Sequence, residues 1–117
     1  MLAERLPGYD PGDSDFETRV LRLVIGAGLP VPRQQYRVRI GRKKYEVDLA
    51  CPDEKIAIEL DGWEFHGTRT AFDADRHRTN ALVLAGWIPL RFTSTTSDAA
   101  IIGSITAART RSGRAAS

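Results

Sequence analysis

With 117 residues, 42% of them hydrophobic and 27% charged, the chain has enough apolar material for one folded domain and too much for a disordered segment. A net charge of +2 and a pI near 9.0 permit a polyanionic partner without requiring one. The single cysteine, Cys51, excludes an internal disulfide; no apolar run approaches the roughly 20 residues of a membrane span, and the start carries no apolar signal core, so a cytoplasmic protein with no membrane partner is expected.

Residues 1–13 mix charges with two prolines and two glycines and read as an arm. A domain is expected over 14–109, followed by a frayed, disordered tail over 110–117. Ser14 opens the first helix. "SDFE" fits a capping box in which Glu17 reaches back to the Ser14 backbone. Phe16, Val20, Leu23, Val24 and Ala27 follow at helical spacing until "GAGLPVP" stops the helix. In "QQYRVRIGRKKYEVDLA", Tyr36, Val38 and Ile40 alternate with polar residues. "GRKK" supplies a turn, and Tyr45, Val47 and Leu49 resume the alternation, which predicts a hairpin half buried on one face. After the turn "CPDE", "KIAIEL" is apolar enough for a central strand. "WEFHGTRTAF" is irregular. A second helix is expected from about Ala71 to Ala85, stopped by Gly86, and "WIPLRFT" forms a strand in which Pro89 favours a sheet edge or a bulge. A last helix runs from about Ser97 to Arg109. The order α-β-β-β-α-β-α predicts an α/β fold with a mixed sheet flanked by helices.

Carboxylates interrupt the two most apolar strands. Strand geometry sets Glu59 and Asp61 on one face of the third strand, and Glu46 and Asp48 on one face of the second. If these strands are neighbours, Asp48 and Glu59 converge, and partial burial worsens their repulsion. A divalent cation is the simplest compensator, and an all-oxygen set suits Mg²⁺ or Mn²⁺ better than zinc. Singly, each acid reads equally as a strand-end residue facing water. Glu17 serves the capping box and also stands where it can join such a site. His66, near Glu59 and Asp61, suits proton transfer or a structural bond between Trp63 and Phe65.

Basic residues offer a second signal. Arg37, Arg39, Arg42, Lys43 and Lys44 cluster on the hairpin, with Arg33 just upstream, and such a tip can track a nucleic-acid backbone or remain a solvated face. Arg76 and Asn80, four apart on the second helix, share a face that suits phosphate contact or an ordinary ion pair with Asp73. Trp63 fits either the core or a base stack.

The blocks "SDFETRVLRLV", "VDLACPDEKIAIELDGWEFHG" and "DADRHRTNALVLAGWIPLRFT" resemble the PD-(D/E)XK nuclease superfamily, and more narrowly the small endonuclease-like domains related to very-short-patch mismatch-repair endonucleases, over about Ser14 to Thr93. The resemblance implies a restriction-endonuclease-like αβββαβ core with a C-terminal helix. It also implies hydrolysis of a DNA phosphodiester, as an endonuclease or nickase, with Mg²⁺ held by Asp48, Glu59 and the Leu60 carbonyl. Asp61 then reaches the ion directly or through water, and His66 orients or deprotonates the attacking water. One departure matters: Asp61 replaces the superfamily's E-x-K lysine, so either His66, Arg76 or Lys44 substitutes or catalysis is weak. "CPD" at Cys51 to Asp53 is a turn, not the PD motif. Two other readings remain: a nucleic-acid-binding module that keeps the fold without catalysis, and an accessory or toxin-like component that needs a partner protein or a second copy.

Overall fold

A computed structural model describes the backbone of residues 11–61 and 69–113, and the side chains of 15–61 and 73–113. The elements are α1 (Pro11–Gly26), β1 (Arg33–Ile40), β2 (Lys43–Cys51), β3 (Ile56–Asp61), α2 (Arg69–Leu84), β4 (Ile88–Thr93) and α3 (Asp98–Ser112). The expected order is the observed one, an α/β fold. The sheet runs β1-β2-β3-β4, antiparallel across the first two boundaries and parallel between β3 and β4, so α2 is the crossover. Pro89 lies in the edge strand β4, opposite Ala57, where its missing donor costs least.

Helices α1 and α2 end alike. Gly28 and Gly86 take positive φ (76° and 92°), the next residues Leu29 and Trp87 bond back to the carbonyls of Val24 and Leu82, and the glycines bond to Ile25 and Val83. In each, a left-handed residue satisfies carbonyls the helix leaves open while the following apolar side chain folds onto the core. Helix α3 starts from Ser97, whose Oγ accepts the Ala100 N–H at 3.1 Å. It runs to Ser112, three residues beyond the expected Arg109. The start of α1 also differs from expectation. The helix begins at Pro11, whose fixed φ suits a first helical residue, so Ser14 lies inside it rather than at its start. Ala27 falls beyond the helix and is exposed.

Two apolar clusters sandwich the sheet. On one face α1 and α3 pack Phe16, Val20, Val24, Ile101 and Ile105 against Leu49, Ile56, Ile58, Leu60 and Phe92. On the other, Leu82 of α2 joins Val38, Val47, Ala50 and Ala57, flanked by Tyr36 and Trp87 with ring centroids 6.2 Å apart. Arg19 ties α1 to the β4–α3 turn, donating to Asp98 Oδ1 and to the carbonyls of Ser94 and Thr96.

Val47 and Leu49 therefore belong to opposite faces, which corrects the expected single half-buried face. Alternation slips by one residue between them, at Asp48. Opposite Asp48 in the register is Gln35, the one residue of the β1–β2 ladder with positive φ (49°); neither makes a ladder pair. The paired strands turn over together at this point.

Candidate active site

The same slip opens the sheet. β2 and β3 pair at Cys51–Ile56, Ala50–Ala57 and Leu49–Ile58, and the ladder then stops, although both strands continue. Where the next rung would fall, Asp48 Oδ2 accepts the Leu60 N–H at 2.7 Å. Glu59 points to the α2 face and is buried, its side chain 11% exposed. Sequence reasoning thus located Asp48 and Glu59 where two neighbouring strands part.

What compensates them is a correction. Within the described residues the counter-charge is a side chain not singled out from the sequence, Arg78 of α2. Its guanidinium donates to the Glu46 carbonyl on β2 and forms an ion pair with Glu59 Oε2 on β3, bridging the gap between the strands. No described hydrogen-bond donor is aligned on that buried Oε2. The repulsion argument therefore does not by itself require a cation. Burial pushes the Glu59 carboxyl up to about 7; Arg78 opposes this and the charge of Asp48 adds to it. Asp48 is also raised, by burial first, against the Leu60 N–H and Arg78, with Asp61 and Glu46 contributing repulsion.

Asp61 is engaged elsewhere. Arg91 of β4 grips both its oxygens at 3.0–3.2 Å and also bonds Asp75 of α2. Burial alone would lower the Arg91 pKa, but the bonds to Asp75 and Asp61 hold it above its ordinary value. Among the described residues, no three His, Cys, Asp or Glu side chains meet as a metal-ligand set, so the expected grouping of Asp48, Glu59 and Asp61 is not assembled. Trp63, Phe65 and His66 lie outside the described residues.

Glu17 accepts a bond from Gln35 Nε2 at 2.9 Å, and Gln35 faces Asp48 across the β1–β2 register, so α1 is linked to the slip point through one side chain. Arg76 and Asn80 are exposed and each lies about 160° around the helix from Arg78, whereas Asp75, Arg78 and Leu82 recur at the spacing of the sheet-facing side. Leu82 was the signal: a lone buried leucine four residues after Arg78 identifies which arginine faces inward. Lys44 lies four residues along β2 from Asp48, about 13 Å away. Lys44 does not stand where the missing lysine is wanted.

Arg33, Arg37, Arg39, Arg42, Lys43 and Lys44 are all exposed. The turn is only Gly41–Arg42, with Gly41 at φ 63°, and Lys43 and Lys44 belong to β2. Arg39 sits directly opposite Lys44, a like-charge rung, while Arg37 faces Glu46. No helix among the described residues is long and apolar enough to cross a membrane.

A split sheet with an acid on each lip, framed as αβββαβ, is a restriction-endonuclease-like architecture, and the chain belongs to the family REase_MTES_1575, whose model matches residues 16–98. It has a PD-(D/E)XK-like nuclease fold. Two Mycobacterium tuberculosis proteins, "Uncharacterized protein Rv2248" of strain H37Rv and "Uncharacterized protein MT2308" of strain CDC 1551, are each 33% identical to it over 86 residues. That stretch is 72% of this chain but 32% of theirs, so the chain spans about a third of the length of these relatives. Among solved structures, the catalytic domain of the homing endonuclease I-Bth0305I matches with a TM-score of 0.52 and 18% identity, covering 82% of this chain and 87% of that one. At that identity the likeness is one of fold.

Proposed function

We propose that the chain is a divalent-cation-dependent DNA endonuclease or nickase whose cation, Mg²⁺ or Mn²⁺, is held by Asp48 and Glu59. The observation that carries this reading is the parting of β2 and β3 at Asp48, with Glu59 buried on the opposite lip and its Oε2 lacking an aligned donor. The donor set fits: Mg²⁺ commonly binds through one or two carboxylates, water and substrate phosphate completing its shell. When bound, the cation would acidify a water and neutralise charge on the phosphate. The chain's own residues do the rest. The Leu60 N–H fixes the Asp48 carboxylate, and Arg91 keeps Asp61 within electrostatic reach of Asp48 without committing it to the cation. The Leu60 carbonyl completes the protein ligands, His66 handles the proton of the attacking water, and Glu17 supports Asp48 through Gln35. Arg37, Arg39, Arg42, Lys43 and Lys44 follow the DNA backbone, Arg76 and Asn80 extend that contact, and Trp63 stacks on a base. We place this activity in the cytoplasm, in one catalytic domain.

The test is incubation of supercoiled DNA with pure protein, with Mg²⁺ or with EDTA. Cleavage that needs the cation and disappears in Glu59→Ala is expected; cleavage surviving in that variant refutes the assignment. A second reading, a binding module without catalysis, is favoured by the pairing of Glu59 with Arg78 and of Asp61 with Arg91, which leaves both acids already compensated. It predicts DNA binding that is indifferent to EDTA and no cleavage under any cation.

A further inference from the structure

Arg78 occupies an unusual position. It is the one described cation that touches both lips of the split, through the Glu46 carbonyl and the Glu59 carboxylate, and its side chain remains 24% exposed. A guanidinium used only as a strut would be expected to align its donors on the carboxylate in a two-pronged pair. Here one guanidinium nitrogen, Nη2, meets both the Glu46 carbonyl and Glu59 Oε2, so its contact is shared between the two strands. Helix α2 anchors the arginine from behind, because Leu82, one turn further on, is fully buried against Ala57 and Val47. The base of the side chain is fixed while its tip lies at the rim.

We propose that Arg78 is an internal counter-cation: it neutralises Glu59 while the site holds no metal, yields that carboxylate when a divalent cation binds, and then turns its guanidinium to the scissile phosphate. This rests on the proposed function, the exchange on its cation site and the last step on its cleavage of DNA. It gives the site the electrophilic cation that Asp61 denies it by standing where the superfamily has lysine, and it does so from α2 rather than from β3. Arg78 is well suited to the exchange because a planar fork accepts carboxylate and phosphate oxygens alike, and a lost partner at the rim is replaced by water.

The experiment compares wild type, Arg78→Gln, Arg78→Lys and, as a control on the exposed side of α1, Arg22→Gln, by Mn²⁺ titration calorimetry without DNA and by cleavage of supercoiled DNA at saturating Mn²⁺. Removing a resident competitor should tighten Mn²⁺ binding by about tenfold in Arg78→Gln, while cleavage falls by roughly 100-fold or more as the phosphate loses its donor. Arg78→Lys, which keeps the charge but lacks the planar fork, should fall between, and Arg22→Gln should bind Mn²⁺ as wild type does. Opposite movement of affinity and rate is the signature, since a strut would weaken both. Weaker or unchanged Mn²⁺ binding in a folded Arg78→Gln overturns the counter-cation role, and undiminished cleavage overturns the phosphate role. Should both variants fail to fold, the wild-type protein decides: the Arg78 side-chain nitrogen resonances must shift on saturation with Mg²⁺, and their constancy refutes the proposal. If wild type never cleaves DNA, the nuclease reading falls, while the titration still judges the exchange at Glu59.

Discussion

The carboxylate of Asp48 takes the backbone N–H of Leu60 at the point where β2 and β3 stop exchanging ladder bonds. One side chain thereby ends a sheet seam and satisfies the amide that the ending exposes. The bond also fixes the orientation of the carboxylate, leaving Oδ1 facing away from it.

Asp48→Asn and Asp48→Ala should therefore separate structure from chemistry. The asparagine keeps an oxygen for Leu60, so its stability should stay within about 1 kcal/mol of wild type, whereas the alanine strands a partly buried amide and should cost roughly 1–3 kcal/mol. DNA cleavage should be lost in both. Urea melts alongside a plasmid assay check the pair, and an alanine variant as stable as the asparagine would contradict the role of that bond.

Glu59 sets a pH dependence of known sign. Its folded carboxyl is raised to about 7 from an ordinary 4.5, so ionisation opposes folding. The stability it contributes is fully present below about 4.5 and is lost as pH rises through about 7. Glu59→Gln should gain on wild type across that window by roughly 1–3 kcal/mol and show no further gain above it. Melting curves at several pH values without divalent ions provide the check. Cleavage by wild type should rise with pH through the same region, and its midpoint should move down as Mg²⁺ increases, because a bound cation favours the ionised acid.

Gln35 holds its positive φ at the point where both strands turn over. Gln35→Gly should be more stable than Gln35→Ala by about 1 kcal/mol, since alanine retains the left-handed strain that glycine relieves. Both lose the bond to Glu17. Comparison of the two urea midpoints decides the matter.

The hairpin prediction concerns salt. Arg39 and Lys44 face each other on an exposed surface, and the double replacement Arg39→Gln with Lys44→Gln should weaken DNA binding. The slope of log affinity against log salt should shrink by about 1.8 if each touches one phosphate. An unchanged slope would place the DNA elsewhere.

Much of this molecule was legible in its sequence, because the relevant signals are local. Alternation and glycine stops fixed the order of the elements, and Gly86 ended α2 as read. Asp48 and Glu59 stood out because acids rarely interrupt such apolar runs. Arg78 did not, because it lies in a helix where nearly every neighbour is charged, and only the burial of Leu82 tells which side faces the sheet. The turnover at Asp48 was hidden for a different reason. It depends on one backbone angle at Gln35, thirteen residues away in the chain, and no side-chain pattern encodes that. Asp61 stands at the end of β3, but its partner Arg91 becomes adjacent only through the parallel pairing of β3 with β4.

The outermost position of β1 gives its arginines a second consequence. Among the described residues β1 has a strand on one flank only, and an open flank offers a template on which another copy of the molecule can zip up and begin aggregation. Arg33, Arg37 and Arg39 along that rim make such pairing repulsive, so they act as gatekeepers of solubility whatever ligand they meet. Exchanging them for valine or threonine, rather than for glutamine, would be expected to yield a chain that precipitates before any binding could be measured.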